Sequence, residues 1–160
     1  MTTSPPISSV GRPDARPAPL AGGSSLLFSC TLNSIRSPMA EALMKSLTGT
    51  RFYVDSAGLR SAPVDPMAVR VMAESGYDIS QHRSKTFDDL GNDFFDLIIT
   101  LSPQAHHRAL EITRLQACDV EYWPTYDPLL QEGSQTQRLD AFRQVRDSLL
   151  TRLKQRFDIA

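Results

Sequence analysis

The chain has few cysteines, no long apolar run and no excess of either charge, and each of these shortages excludes a class of protein. Two of its 160 residues are cysteines, Cys30 and Cys118, and their separation matches no metal-ligand or redox pair. We expect both to be free thiols in a reducing, cytoplasmic compartment. There are 17 Lys and Arg against 18 Asp and Glu and no basic block, so the sequence offers no footprint for nucleic acid. No apolar run approaches the roughly 18 residues of a membrane span, and no membrane partner is expected.

Residues 1–24 differ in composition from the rest of the chain. They are rich in Pro, Ser, Ala and Gly and have almost no periodic apolar content. Such a segment cannot bury enough surface to offset the entropy lost on ordering, so we expect a flexible tail. Residues 25–160 are expected to form one folded domain, because 41% hydrophobic content over this length supplies a single core.

Four short apolar segments read as strands. They lie near 25–30, 52–54, 95–101 and 118–123, and each is followed by a polar loop. Helical patterns separate them and follow the last one. Alternating strands and helices predict an α/β fold, a doubly wound parallel sheet of four strands with helices on both faces. Ligands bind such sheets beyond the carboxyl ends of the strands, near the point where the strand order reverses.

Three of the helices are predicted to begin at a polar residue followed by proline. The pairs are Ser37-Pro38, Asp65-Pro66 and Ser102-Pro103, in which Ser or Asp suits the N-cap and Pro suits the first helical position. The last helix carries apolar residues at steps of three and four from Leu139 to Phe157, which is typical of one buried face.

Cys30 stands where the first strand ends and the first helix is about to begin. A short loop there would point backbone N–H groups inward beside the positive end of a helix dipole, and so cradle a tetrahedral oxyanion. In that field Cys30 would be a thiolate nucleophile, Arg36 would grip two anion oxygens, and Ser37 could donate its hydroxyl to the sulfur. The loop residues expected to bind substrate are Thr31, Leu32, Asn33, Ser34, Ile35, Arg36 and Ser37.

A leaving oxygen needs a proton donor, and Asp127 is the candidate. It follows the fourth strand, on the side of the sheet where the cradle should lie, in a loop long enough to reach over it. An Asp-Pro pair is also a common turn element, so position alone leaves both interpretations open.

These segments together resemble the low-molecular-weight protein tyrosine phosphatases. The likeness runs from about residue 25 to the C-terminus and rests on four segments and two Asp-Pro pairs. They are CTLNSIRSP at 30–38, VDSAG at 54–58, HRSK at 82–85, FFDLIITL at 94–101, and the DP pairs at 65 and 127.

The resemblance implies a phosphatase loop at the end of the first strand of the family's four-stranded parallel sheet. It implies that Cys30 forms a phosphocysteine, Arg36 binds the phosphoryl oxygens, and Asp127 acts as general acid and then activates water. Four residues match the set that supports the family's loop: Asn33, Ser37, Ser56 and His82. No metal or cofactor is implied, and the expected substrate is a phosphorylated protein or a small phosphomonoester.

Several residues depart from the family pattern. Leu32 stands where glycine is usual and Ile35 where a cysteine is common. Leu129 and Leu130 replace frequent tyrosines, which leaves Tyr126 as the one nearby aromatic residue. The sequence therefore predicts phosphomonoester chemistry without specifying phosphotyrosine as the substrate.

Two alternatives stay open from the sequence. The related thiol-coupled arsenate reductases also resemble the chain, but Ser102 and Ala109 occupy the positions of their resolving cysteines, so an external thiol would be required. A non-catalytic module that binds phosphate through the same loop is the other alternative.

Overall fold

Four parallel strands form one sheet in the computed structural model, which describes residues 19–160. The strands are β1 (Ser25–Cys30), β2 (Tyr53–Gly58), β3 (Leu97–Thr100) and β4 (Asp119–Tyr122). They pair in the order β2-β1-β3-β4, and every pairing is parallel. The predicted four-stranded parallel sheet is confirmed.

Helices cover both faces of this sheet, which confirms the doubly wound prediction. Their bounds are α1 (Arg36–Thr48), α2 (Pro66–Glu74), α3 (Pro103–Thr113) and α4 (Gln135–Arg156). The first, second and fourth helices pack together on one face, and α3 packs on the other. None of the helices within residues 19–160 has the length and apolar content needed to cross a membrane.

Two of the three predicted N-caps are confirmed and one is wrong. Asp65 and Ser102 accept hydrogen bonds from amides in the first turns of α2 and α3. Helix α1 instead begins at Arg36 after Ile35, and no side chain caps it. The hydroxyl of Ser37 is engaged elsewhere, as described below.

Strand β1 is buried on both sides because its side chains alternate between two apolar clusters. Leu26 and Phe28 face the larger cluster beneath α1, α2 and α4, whereas Leu27 faces a smaller cluster beneath α3. Fully burying each such side chain contributes about 1.5–3 kcal/mol. The burial of β1 on both faces therefore fixes the position of Cys30 at its end.

The position of β1 in the sheet places Cys30 at the switch point. Its neighbours are β2 on one side and β3 on the other, so the chain order reverses beside it. This is the crevice that the sequence predicts for a ligand.

Of the predicted tail, residues 1–18 lie outside the described residues. Residues 19–24 contact the domain: Leu20 packs against the larger cluster, and the Gly23 amide donates to the carbonyl of Arg51 at 2.8 Å.

Candidate active site

In the loop after β1, the carbonyl groups and the amide groups have different surroundings. The carbonyls of Thr31, Leu32 and Ser34 accept hydrogen bonds from neighbouring segments. The donors are the amides of Leu59, Arg60, Ala62 and Asp65 and the hydroxyl of Ser84, at 2.9–3.2 Å. The amides of residues 31–35 have no hydrogen-bond acceptor within residues 19–160. Unpaired amides are costly when they are buried, so the loop favours an oxyanion as their partner.

One residue of the loop has left-handed backbone geometry. Asn33 has a φ of 53°, and Asn tolerates this region better than most residues do. Leu32, by contrast, is not among the described residues with positive φ. The replacement of the family's usual glycine by Leu32 is therefore accommodated without backbone strain at that residue.

Gly58, at the end of β2, lies directly against this loop. A Cβ atom placed on it would lie 2.8 Å from the backbone nitrogen of Asn33 and 2.9 Å from the carbonyl carbon of Leu32. Only glycine lets β2 approach the loop so closely.

The sulfur of Cys30 lies at the end of a directed chain of hydrogen bonds. The Asn33 Nδ2 group is a donor, and it reaches the Ser37 Oγ at 2.8 Å and the Ser56 Oγ at 2.9 Å. Because the Ser37 oxygen accepts from Asn33, its own proton is free to point at the Cys30 Sγ, 2.9 Å away. This direction stabilises a thiolate more than a thiol.

The amide of Asn33 is oriented by two donors on its other side. The backbone N–H of Lys85 donates to Oδ1 at 2.9 Å, which identifies that atom as the oxygen. The His82 Nε2, 3.0 Å from the same oxygen, must then carry a proton. Burial lowers the pKa of His82, against the opposing effect of Glu41, so the neutral ring with Nε2–H is the form that supports the loop near neutral pH.

Glu41 completes this network, and sequence reasoning missed it. Its buried carboxylate accepts from the Ser56 hydroxyl and from Lys45, each at 2.5 Å, and lies 3.8 Å from the Nδ1 of His82. A Glu on the inward face of α1, four residues before a Lys, was the available signal. It joins the predicted supporting residues through Ser56 and His82.

Arg36 spans the gap between the loop and the segment after β4. Its Nη1 donates to the backbone carbonyl of Thr125 at 3.0 Å, two residues before Asp127. The Thr125 hydroxyl in turn donates to the Trp123 carbonyl at 2.8 Å, which holds this segment in shape.

A cavity of about 550 Å³ opens above Cys30. Its walls include Arg36 and Asp127, so the three predicted catalytic residues share one site. Of the loop residues, Thr31, Leu32, Ser34 and Ile35 also line it. Asn33 and Ser37 are fully buried behind the loop instead, where Asn33 holds the hydroxyl of Ser37.

Asp127 forms the turn that its Asp-Pro pair predicts, and it does so beside the cavity. Its Oδ1 accepts from the Leu129 amide at 3.0 Å and so caps a short 3₁₀ turn, Pro128–Leu130. The same residue lines the cavity. The turn fixes the carboxyl group without using both of its oxygens.

The mouth of the cavity has one aromatic side chain among the described residues, Tyr126, which is half exposed. Leu129 and Leu130 are also exposed there, and Arg60 and Gln104 supply polar groups. A pair of facing aromatic rings is not formed by residues 19–160 at this mouth.

Comparison with known proteins agrees with this geometry. The model of the family named low molecular weight phosphotyrosine protein phosphatase matches residues 25–158, nearly the whole of the folded region. The chain belongs to this family. An arsenate reductase of Halalkalibacterium halodurans is 36% identical to this phosphatase-family chain over 131 residues, covering 81% of it and 91% of the reductase. An arsenate reductase of Bacillus subtilis is 35% identical over 132 residues, covering 81% and 92%.

Solved structures with this phosphatase fold include proteins named arsenate reductase and proteins named phosphatase. One, described as an arsenate reductase in the phosphate binding state, has a TM-score of 0.70 and 31% identity and covers 86% of this chain and 99% of its own. Another, the arginine phosphatase YwlE with a phosphorylated active-site serine, has a TM-score of 0.69 and 25% identity and covers 84% and 93%. The fold and the cysteine-based enzyme class are thus common to this chain and its relatives.

The second cysteine of this phosphatase-family member is remote from the first. Both cysteines are free. Cys118 directly precedes β4, at the amino edge of the parallel sheet, whereas Cys30 ends β1 at the carboxyl edge. Burial, followed by the nearby charge of Asp119, raises the pKa of Cys118 to about 11. Cys118 is therefore neither near Cys30 nor a ready thiolate.

Proposed function

We propose that this protein hydrolyses phosphomonoesters through a phosphocysteine formed on Cys30. One observation carries the proposal: five successive amides of the loop that follows Cys30 find no acceptor within residues 19–160, and the Ser37 hydroxyl, which accepts from Asn33, lies 2.9 Å from the Cys30 sulfur. Such a site offers a nucleophile and a ring of donors for the oxygens of a tetrahedral phosphoryl group.

In the first step the Cys30 thiolate attacks phosphorus, a P–S bond forms and the P–O bond to the leaving group breaks. The loop amides stabilise the negative charge on the phosphoryl oxygens, and Arg36 exchanges its bond to the Thr125 carbonyl for two bonds to those oxygens. Asp127 gives its proton to the leaving oxygen.

In the second step water attacks phosphorus, Asp127 takes a proton from that water, and the P–S bond breaks. The Ser37 hydroxyl stabilises the departing thiolate, because the hydrogen bond from Asn33 keeps that hydroxyl pointed at sulfur. Phosphate then leaves and the starting state is restored.

A phosphorylated protein or a small phosphomonoester fits this chemistry. The cavity mouth is apolar on the side of Leu129 and Leu130 and carries one aromatic ring, Tyr126. It therefore selects an aryl group by stacking less strongly than a pair of facing rings would.

Arsenate reduction is the second candidate, because relatives at 35–36% identity are named arsenate reductases. Arsenate would bind the same loop and bond to the Cys30 sulfur with loss of one oxygen as water. An external thiol would attack that sulfur, reducing As(V) to As(III), releasing arsenite and leaving a mixed disulfide, and a second thiol would reduce the disulfide. Ser102 and Ala109 supply no resolving thiol, and Cys118 lies at the opposite edge of the sheet.

The test is a turnover screen of phosphotyrosyl peptides, small phosphomonoesters and arsenate with glutathione, with Cys30→Ser as the inactive form and Cys118→Ser as the matched control. We expect phosphate release that Cys30→Ser abolishes and Cys118→Ser leaves intact. Undiminished release from Cys30→Ser would contradict the proposal. Faster thiol-dependent production of arsenite would favour the second candidate, and tight phosphate binding without turnover would indicate a binding module.

The Asp127→Ala variant tests the proposed general acid independently of the Cys30 nucleophile. Its loss should slow a phosphomonoester with a basic leaving group, such as an alkyl phosphate, about 10²- to 10⁴-fold, and slow 4-nitrophenyl phosphate much less. Equal effects on both substrates would exclude Asp127 as the proton donor.

A further inference from the structure

A second arginine lines the candidate active site, and the proposed chemistry does not use it. Arg60 borders the same cavity as Cys30 and Arg36, and its side chain is exposed. Within residues 19–160 its guanidinium makes no ion pair and no hydrogen bond and lies over no aromatic ring.

Several other arginines of the described chain are engaged, whereas Arg70, Arg83 and Arg114 are as unpaired as Arg60 but do not line the cavity. Arg143, Arg146 and Arg156 bind carboxylates, and Arg51 and Arg152 lie over aromatic rings. The cation of Arg60 thus remains available at the mouth of the cavity.

The backbone fixes where Arg60 lies relative to the sulfur. The amides of Leu59 and Arg60 both donate to the Thr31 carbonyl, at 2.9 and 3.1 Å, and the Ala62 amide donates to the Leu32 carbonyl at 3.2 Å. The segment that carries Arg60 is therefore attached to the phosphate loop itself. Its side chain borders the same cavity as Cys30.

The charges around the cavity leave Arg60 without a counter-ion. Asp127 is the one carboxylate among the described residues that line the cavity, and it is assigned to the leaving oxygen. The loop amides and Arg36 are assigned to the phosphoryl group. A substrate with a second negative group beside its phosphate would supply the missing partner.

We propose that Arg60 makes this site prefer phosphomonoesters that carry a carboxylate close to the phosphate. The inference rests on the proposed phosphomonoesterase function and specifies its substrate class. A carboxylate bound to Arg60 replaces some of the binding that facing aromatic walls would otherwise give. The same chemistry can come from a small phosphorylated acid or from an acidic residue next to a phosphorylated residue in a protein.

The experiment compares pairs of substrates that differ in one charge. The small pair is 3-carboxyphenyl phosphate and 3-carbamoylphenyl phosphate, which share shape and have similar leaving groups. The peptide pair has Glu or Gln directly after phosphotyrosine. The ratio of kcat/KM within each pair is measured for the wild type, Arg60→Gln and Arg114→Gln. The last variant removes the same charge at the far end of α3, away from the cavity.

We expect the wild type to prefer the charged member of at least one pair roughly two- to tenfold, as for a partly screened ion pair. Arg60→Gln should bring that ratio close to one, Arg114→Gln should not, and 0.5 M salt should reduce the wild-type ratio. Preference in the small pair alone indicates a small phosphorylated acid, and preference in the peptide pair alone indicates an acidic phosphopeptide.

Three results would overturn the inference: no charge preference in the wild type, a preference that Arg60→Gln leaves intact, or an equal loss on both members of a pair. The last result would mean that Arg60 binds the phosphoryl group itself. If the wild type hydrolyses none of the substrates, the proposed function fails separately. The Arg60 inference is then decided by calorimetry on Cys30→Ser, in which Arg60→Gln must weaken binding of the carboxylate member more than binding of the carboxamide.

Discussion

Replacing Asn33 tests whether the phosphate loop is prepared for its anion before the anion arrives. Asn33 combines a left-handed backbone with a buried side chain that joins four groups. Its partners are the hydroxyls of Ser37 and Ser56, the amide of Lys85 and the ring of His82, at 2.8–3.0 Å. Three substitutions separate these contributions: Asn33→Gly, Asn33→Ala and Asn33→Asp.

The magnitudes follow from those contacts. Each hydrogen bond contributes about 0.5–1.5 kcal/mol net, so Asn33→Gly should lower the free energy of unfolding by about 2–6 kcal/mol. Asn33→Ala loses the same bonds and also places a Cβ in the left-handed region, which costs roughly 1–2 kcal/mol more. Domains of this size are typically stable by about 5–15 kcal/mol, so the largest of these losses would unfold a domain at the low end of that range. The urea curve of each variant is therefore measured first, and only variants that are folded at low temperature enter the activity assay.

Asn33→Asp distinguishes the donors from the acceptor. An aspartate still accepts from the Lys85 amide and from His82, but it has no proton for Ser37 or Ser56. The Ser37 hydroxyl is then free to turn from the Cys30 sulfur to the new carboxylate. We expect kcat for an aryl phosphate to fall about 10- to 100-fold or more, in the range seen when a single preorganised donor is lost.

Three measurements test whether Asn33 holds the loop ready for its anion: urea unfolding, calorimetric phosphate binding, and kcat for 4-nitrophenyl phosphate. Ser46→Ala, at an exposed position on the same helix as Ser37, is the control and should match the wild type in all three. Wild-type turnover in Asn33→Gly would refute the reasoning, because that variant keeps the backbone geometry and removes every side-chain contact. Equal stability of the Gly and Ala variants would show that the left-handed backbone is not a constraint.

Three further predictions follow from single contacts. Gly58→Ala should weaken phosphate binding at least tenfold in calorimetry, because its Cβ would collide with the loop backbone at residues 32–33, and unchanged affinity would contradict the close approach. Hydrogen bonding from Arg143 lowers the pKa of Glu74 from 4.5 to about 2, so the stabilisation from Glu74 is present above about pH 4.5 and lost as the pH falls through about 2. The difference in unfolding free energy between wild type and Glu74→Gln should shrink over that interval, and a constant difference would refute the assignment. Cys118, with a pKa of about 11, should react with iodoacetamide at pH 8 roughly 10- to 100-fold more slowly than in the urea-unfolded chain, as mass spectrometry of the labelled peptide would show.

The sheet and its helices could be predicted from the sequence because local patterns specify them. Strand β1 is buried on both faces and therefore reads as an uninterrupted apolar run. Asp65 and Ser102 lie immediately before proline at the helix starts, where cap chemistry is local. The position of Cys30 at a strand end followed from the same reasoning.

The supports of the loop could not be predicted in the same way, since they come from distant segments. Lys85 supports the loop through its backbone amide, and Thr125 holds Arg36 through its backbone carbonyl. Every residue type has a carbonyl and nearly every type has an amide, so the residue types at these positions do not reveal the contacts. For Ser37, in contrast, the residue identity predicts a role that the structure does not show. Its place before proline predicts an N-cap, but its hydroxyl instead hydrogen-bonds the Cys30 sulfur and the Asn33 side-chain amide.

The residues that shape the loop and most of the residues that line its mouth belong to different segments of the chain. The loop carbonyls are held by residues 59–65 and 84, and its side chains by Glu41, Ser56 and His82. The mouth is formed mostly by side chains at 104 and 126–130, which make few of those bonds. A change at the mouth can therefore alter the group attached to the anion without disturbing the cradle. Phosphate and arsenate are both tetrahedral oxyanions, so the proposed phosphatase chemistry and its arsenate alternative require the same cradle. Arg60 is the exception that connects the two parts, because its backbone holds the loop while its side chain faces the mouth.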